Sequence, residues 1–476
     1  MIKLYPHQEK NINELRQAIA KHQAVLLQAA TGYGKTAVAS FITRSALERD
    51  KRVIFMVHRK EIIEQTSKTF ERQEIPHGFI QAGLTYDPQH LCHIASTDTL
   101  VRRLDKVRKP DLLISDEAHH IVAGTQAKIV SWAKAGGAKI VGLSATPERL
   151  DGRGLREFFD YMVPGPTITW LIQNKYLSDY MVFAAPFVPD MGRVSVKMGE
   201  YSAEEIDKIM DDIKLFGCAV SNYKEHAAGM KAILFAPSIR VSEKLAQHFS
   251  AEGIPAAHLD GGTPKAQRRD RIAAFADGEL QVLCNVNLFG EGFDLSAIAG
   301  KDVPIEAVIL YRPTMSLSLH LQQIGRGLRP KPYPAVILDH VGNCRRHGLP
   351  DDDREWSLDS KKRKKKKSDE TEERIKQCPE CYNVHKPHLK ECPHCDYIYV
   401  VKERDTESDF VPGTLEKIDL EKRRELANLK ERDREAFKRF VQESVEACHS
   451  YGELVKLASL LNYKKGWAWY QWQQKT

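Results

Sequence analysis

"AVLLQAATGYGKTAVA", residues 24–39, decides the fold. An apolar run ends, a glycine-containing turn follows, and helix-forming residues resume, which is the order strand, loop, helix. Gly32 and Gly34 let the backbone wrap an anion with its N–H groups, and the start of the following helix reinforces that attraction. Lys35 can then reach the outer phosphates of a nucleotide, and the Thr36 hydroxyl can bind Mg²⁺. Thr31 and Tyr33 complete the loop. Ala29 stands where the usual pattern has its first glycine. An ordinary turn before a helix is the bland alternative, disfavoured by Gly-x-Gly-Lys-Thr in this context.

A phosphate loop of this kind needs a second strand that carries carboxylates. "DLLISDEAHH", residues 111–120, supplies one. Asp116, at the end of the apolar run, suits the Mg²⁺ shell, and Glu117 suits the base that orients or deprotonates water. A protein-only metal site of Asp116, Glu117, His119 and His120 is the rival. It fails on geometry, because sequence neighbours point in different directions.

Further apolar, β-branched runs surround these two. "RVIFMVHR", "HIASTDTL" and "AKIVGLSATP" belong to a first group; "AILFAPSIR", "AAHLDGG", "QVLCNVNLFGEGFD", "AVILYRP" and "AVILDHVGN" form a second. Helix-period segments such as "KEIIEQTSKTF" and "SEKLAQHF" separate many of them. Strands alternating with helices imply buried parallel sheets that bind ligands beyond the C-terminal ends of their strands. The chain therefore reads as α/β, with two lobes in tandem joined within residues 170–225. The lobe boundaries expected are 1–183 and 184–347.

"DEAH" after "ATGYGKT", then "SATP" (144–147), "GEGFD" (290–294) and "QQIGRGLR" (322–329), resemble the superfamily 2 DEAH-box helicases over about residues 1–345. Within that superfamily the chain looks closest to bacterial and phage DNA-directed members, of the RadD type or the restriction-subunit type. The resemblance implies two RecA-like lobes of a P-loop NTPase that close on Mg²⁺-ATP, and it assigns roles by position. Gln8 corresponds to the glutamine that reads the adenine edge, with Tyr5 where many relatives have arginine. His119 relays nucleotide state to Gln322, and Ser144 and Thr146 link hydrolysis to movement. Gly292 and Asp294 lie near the ribose, and Asn285 replaces a threonine there. Arg326 and Arg329 would place fixed positive charge on the outer phosphate from the second lobe. His58, Arg59, Thr97 and Thr263 match positions that hold the phosphates of a nucleic-acid strand; a solvated surface is the alternative for each.

The tail has a different texture. Residues 348–372 read as a basic linker, and "KKRKKKK" at 361–367 alone carries as much positive charge as the whole chain's net +7. Such a concentrated run is either a flexible tether or a strap for an anionic polymer. "CPECYNVHKPHLKECPHC" holds Cys378, Cys381, Cys392 and Cys395 in two C-P-x-C turns, a spacing suited to tetrahedral Zn²⁺ in a module over 373–402. An iron–sulfur cluster or a redox pair is the alternative. Residues 413–476 read as a helical region, ending with Trp467, Trp469 and Trp472 beside Lys464 and Lys465. These aromatics would either stack on bases or dock against protein.

At 476 residues the chain has room for about three domains. No run approaches the ~18 apolar residues of a membrane span, and the N-terminal residues lack a signal-peptide pattern. A cytoplasmic protein without membrane contact is expected, its nine cysteines reduced. The reading is an ATP-dependent DNA helicase or translocase using ATP, Mg²⁺ and Zn²⁺, with DNA as partner and replication or repair proteins as further candidates. The alternatives are a duplex translocase that does not separate strands, an RNA helicase, and a binding protein with a decayed motor.

Overall fold

The computed structural model describes residues 4–399 apart from 59, 122–123, 149–153, 185–190, 192–193, 198–199, 211–212, 290–294 and 360–374. Beyond these it describes 434–449, 453–454, 457–458, 461, 463 and 466–475. Arg59, Gly292, Asp294, Lys464, Lys465 and the lysine run at 361–367 lie outside the described residues.

The five apolar runs of the first group become strands, and two further strands, β3 and β7, join them: β1 Ala24–Gln28, β2 Val53–Val57, β3 Gly78–Ile80, β4 Cys92–Ser96, β5 Leu112–Ser115, β6 Lys139–Ser144 and β7 Tyr161–Pro164. They form one sheet in the order β3-β4-β2-β5-β6-β1-β7, every pair parallel. Every residue of β1, β2 and β5 is buried, because helices cover both faces. Leu15, Val38 and Phe70 pack on one face; Ile121, Ile129 and Phe159 pack on the other.

A second sheet contains β8 Tyr180–Ala184, β11 Ala232–Phe235, β12 Ala256–Leu259, β13 Val282–Asn285, β14 Ala307–Leu310, β15 Ala335–Asp339, β16 Lys376–Gln377 and β17 Asn383–His385; β9 Val196–Lys197 and β10 Glu200–Tyr201 pair separately as a ribbon. The order of the larger sheet is β12-β13-β11-β14-β15-β8-β17-β16, parallel through β8 and antiparallel for the last two. Tyr223, Phe249, Phe275 and Tyr311 anchor its core.

Three expected boundaries shift. A cut at 183/184 would fall inside β8, whose five residues all pair with β15. The segment 373–402 is no free-standing module, since β17 extends the second sheet by pairing with β8. Residues 348–359 are no linker either. Leu349 sits in the second core and Leu358 in the first, so this strap crosses between the lobes. The Leu358 carbonyl accepts from Leu155 N at 2.8 Å and Arg156 N at 3.0 Å, and the Arg156 guanidinium grips Asp359 with two hydrogen bonds. Sequence reading missed this because the strap buries only two widely spaced leucines within a polar stretch and shows no periodicity.

Residues 400–476 make a second compact unit. Helices Arg434–Ala447 and Gly466–Lys475 enclose small cores in which Phe437, Leu457 and Leu461, and Leu454, Ala458 and Ala468, pack against Trp467; Trp472 also joins the second set. These two tryptophans thus build the unit's own interior. No helix among the described residues is long and apolar enough to cross a membrane.

Candidate active site

In the first sheet β5, β6 and β1 are neighbours, so Ser115, Ser144 and Gln28 end side by side. The loops leaving those ends therefore converge. From β1 comes the glycine loop, with Gly32 at φ +84° and Gly34 at φ +91°, conformations that residues with a Cβ rarely adopt. A helix then begins at Lys35 and runs to Leu47, presenting its first N–H groups to the loop's concavity. The Gln8 amide braces the loop: its Nε2 donates to the Tyr33 carbonyl at 2.8 Å while its Oε1 accepts from Tyr5 N at 3.0 Å. Tyr33 is buried and donates its hydroxyl to Asn11 at 2.9 Å; burial, then the Glu14 charge, pushes that phenol well above its ordinary range.

From β5 come the carboxylates. Glu117 is buried at φ +47°, a left-handed conformation rare outside glycine, held while its N–H donates to Asp116 Oδ1 at 3.0 Å. This turn aims Glu117 Oε1 to within 3.8 Å of Lys35 Nζ. Its Oε2 lies 3.5 Å from His119 Nδ1 and has no hydrogen-bond partner among the described residues. Thr36, half-buried, follows Lys35 on the helix.

The two histidine rings lie 4.2 Å apart, yet they do not converge with Asp116 and Glu117 on one point among the described residues. His119 Nδ1 hydrogen-bonds Ser144 Oγ at 3.0 Å, and that hydroxyl also accepts from Thr146 N at 3.2 Å. The His120 ring also packs 4.6 Å from His58. Among the described residues the one metal-competent cluster of three or more ligands is the four cysteines, so no site of Asp116, Glu117 and both histidines forms.

The second lobe meets this site through the helix Leu317–Gly325. Thr146 Oγ1 donates to Ser318 Oγ at 2.6 Å across the cleft. One turn on, Gln322 is buried with both amide atoms lacking a partner among the described residues; a turn further, Gly325 packs on Thr31, whose buried hydroxyl also lacks one there. Spacings of four and three put Ser318, Gln322 and Gly325 on one helical face. Arg326 and Arg329 follow, both half-buried. Ser318 was missed in the sequence, although its position four residues before Gln322 was a usable signal.

The unpartnered Thr31 hydroxyl, Gln322 amide and Glu117 oxygen are what a nucleotide-phosphate cleft requires. Buried polar groups without partners are costly, and a triphosphate with its water would satisfy them. Asp116 and Thr36 offer hard oxygen ligands of the kind Mg²⁺ takes.

The expected nucleic-acid contacts fare differently. Thr97 is buried and spends its hydroxyl on the Val57 carbonyl at 2.7 Å. Thr263 exchanges bonds with Asp260, accepting from Asp260 N at 3.0 Å and donating to its carboxylate at 2.7 Å. Both hydroxyls thus build turns. Asn285 does the same, bridging Leu234 O and Phe289 N from within the core.

In the tail the four cysteine sulfurs all lie within 4.8 Å of one another, Cys378 and Cys395 at 3.7 Å and Cys381 and Cys392 at 3.6 Å. Four sulfurs about 2.3 Å from a tetrahedral Zn²⁺ would sit about 3.8 Å apart, so the donor set fits that ion.

Two parallel sheets, a glycine loop on one and an arginine-bearing helix end on the other define a P-loop NTPase of two RecA-like domains. Comparison with known proteins narrows the class. Residues 1–149 match the family described as Type III restriction enzyme, res subunit, and residues 205–331 match the helicase conserved C-terminal domain. A 51.5 kDa protein of a Lactococcus phage is 35% identical over 398 residues, covering 83% of each chain. A Saccharomyces cerevisiae protein named for ATP-dependent helicase activity, IRC3, is 28% identical, covering 67% of this chain and 48% of its own. The solved structure of an ATP-dependent Type ISP restriction-modification enzyme, LlaBIII, bound to DNA, shares the fold at a TM-score of 0.53 with 17% identity, covering 71% of this chain; this chain spans only 28% of that enzyme. The chain belongs to the superfamily 2 helicases, and its paired helicase domains make it an ATP hydrolase of that superfamily.

Proposed function

We propose that this protein is a DEAH-box motor that hydrolyses ATP between its two lobes and moves along DNA. One observation carries the reading: the helix Leu317–Gly325 sets Ser318 on Thr146 and Gly325 on Thr31 of the phosphate loop, with the buried Gln322 amide on the same helical face between them.

In this reading the loop 31–36 wraps the phosphates and Lys35 neutralises the outer ones. Asp116 and Thr36 hold Mg²⁺, which when bound offsets charge on the β- and γ-phosphates. Glu117 withdraws a proton from, or orients, the attacking water; its buried, unpartnered Oε2 is free to accept that proton. His119 reports the state of Glu117 to Ser144, Thr146 passes it to Ser318, and Gln322 completes the link. Arg326 and Arg329 bring positive charge to the γ-phosphate only when the cleft is shut. Gln8 offers its remaining donor and lone pair to adenine. Gly292 and Asp294 take the ribose side, and His58 and Arg59 hold backbone phosphates. Cys378, Cys381, Cys392 and Cys395 hold Zn²⁺, which fixes the edge of the second sheet. DNA as the track is supported by the restriction-enzyme family match and by the DNA-bound neighbour.

The test is ATP hydrolysis and strand displacement measured side by side on single-stranded DNA, duplex DNA and RNA. DNA should stimulate hydrolysis most. Glu117→Gln should keep nucleotide binding and lose turnover by roughly 10²–10⁴-fold, whereas Lys35→Ala should weaken binding itself. Stronger stimulation by RNA overturns the choice of track. Stimulation by duplex without displacement makes the protein a translocase, and near-normal turnover by Glu117→Gln removes the glutamate from the base role.

A further inference from the structure

The connection between the lobes ends in Leu177 and Ser178, just before β8, and these neighbours touch both halves of the cleft. Leu177 is buried against the phosphate loop; a Cβ on Gly32 would lie 2.7 Å from its Cδ2. Ser178, also buried, faces the turn that carries both arginines. Its N–H donates to the Leu328 carbonyl at 3.0 Å and its hydroxyl to the Arg329 carbonyl at 2.6 Å. Lys331 Nζ in turn donates to Ser178 Oγ at 3.0 Å and to the Gly327 carbonyl.

Three successive carbonyls, 327 to 329, are therefore all occupied by this serine and this lysine. They lie in the turn just past the helix Leu317–Gly325, near the negative end of its dipole, while the helix's own carbonyls at Gln323 and Ile324 accept from Arg326 N and Gly327 N. A cation and a hydroxyl there fix the path of the turn that bears Arg326 and Arg329. Burial draws the Lys331 ammonium down to about 8, a cost it bears because its protons are committed to the turn.

We propose that Ser178 and Lys331 are positioning residues for the arginine turn, which they hold at a fixed distance from the phosphate loop through the adjoining Leu177. Neither residue belongs to the phosphate loop or to the carboxylate strand end; apart from the bond between them, their side chains act on backbone carbonyls. A polar pair that merely stabilised the second lobe could have capped any of its helices; this one sits where a half-ångström error would move two guanidinium groups. The proposal rests on the reading that the arginines act on the γ-phosphate.

The experiment is steady-state, DNA-stimulated ATP hydrolysis by the full-length protein carrying Ser178→Ala, Lys331→Met or Arg329→Ala, alone and in pairs with Arg329→Ala, with melting midpoints recorded alongside. Ser178→Ala removes one hydroxyl and should lower kcat about fivefold, with KM for ATP changed less than about twofold. Lys331→Met keeps the buried stem and should act in the same direction. Added to Arg329→Ala, each should cause a smaller loss than it does alone, because of the two groups they position only Arg326 remains. Three results overturn the proposal: unchanged kcat for Ser178→Ala and Lys331→Met, losses that multiply with that of Arg329→Ala, or a loss confined to KM and melting midpoint. If Arg329→Ala itself keeps normal turnover, the reading of the arginines fails and the proposal falls with it, a result distinct from the other three.

Discussion

Gly325→Ala tests how tightly the two lobes must meet. A Cβ built on Gly325 would lie 2.2 Å from Thr31 Cγ2 and 2.7 Å from Thr31 Cβ. Carbon atoms in contact sit about 3.5–4.0 Å apart. Rotating the Thr31 side chain can move Cγ2 away but leaves its Cβ in place, so at least about 0.8 Å of separation must come from backbone. The helix Leu317–Gly325 would retreat from the phosphate loop by roughly 1 Å and take the neighbouring Arg326 with it. Misplacement on that scale can cost about 10²-fold in rate, or about 2.7 kcal/mol of transition-state stabilisation. The contact joins two lobes rather than filling a core, so the melting midpoint should move little. Steady-state hydrolysis with saturating DNA should therefore show kcat down about 10²-fold and near-normal nucleotide binding by the isolated variant. A kcat within about threefold of the parent would mean that this close approach is not the hydrolysing geometry, and the cross-cleft argument would fail with it.

Arg326→Ala and Arg329→Ala should each lower kcat by about 10³-fold or more with far milder effects on ATP affinity, as expected for groups that meet transition-state charge; an effect on affinity alone would make that arginine a ground-state ligand. His340 is buried in the second lobe, where burial pulls its pKa from 6.5 down to about 4. The unfolded chain then binds the extra proton between those values, so stability is full above pH 6.5 and falls on acidification by up to about 3 kcal/mol at pH 4. Urea midpoints of the parent and His340→Gln between pH 7.5 and 4.5 should converge as pH falls, and parallel curves would refute the assignment. Replacing Cys378 and Cys381 by serine should abolish binding of one zinc per chain and lower the melting midpoint of the second lobe, since β17 pairs with β8; an unchanged midpoint would show that the strand holds without metal. Truncation after Tyr399 should leave Lys35-dependent hydrolysis intact, and every DNA phosphate that the tail neutralises should, on its removal, take close to one unit from the log–log salt slope. An unchanged slope makes residues 400–476 a protein-docking unit.

What could be read in the sequence is what is local. The phosphate loop declares itself because its glycines, lysine and threonine must be contiguous to wrap one anion, and Asp116-Glu117 because a strand end is marked by its apolar run. That Asp116, Glu117, His119 and His120 gather into no common metal cluster among the described residues followed from backbone geometry alone. The cysteine spacing anticipated the sulfur cluster for the same reason, since two short turns are all a tetrahedron needs. What the sequence left undecided has a shared cause. Thr97 and Thr263 sit at motif positions, but a hydroxyl in a turn has nearby backbone and carboxylate partners that sequence position cannot weigh against a distant phosphate. Trp467 and Trp472 looked equally suited to stacking on bases because composition reports an aromatic's presence and not what it packs against. Leu358 gave no signal, being one apolar residue among serines and aspartates, although it pins the strap that ties the second lobe back to the first. Ser178 is quieter still, a serine between a leucine and an aspartate, whose importance lies in the three carbonyls that meet it and its lysine from a distant stretch of the chain. Motif residues identify the chemistry of a motor from sequence; the residues that set the distance between its halves become visible only when the chain has folded them together.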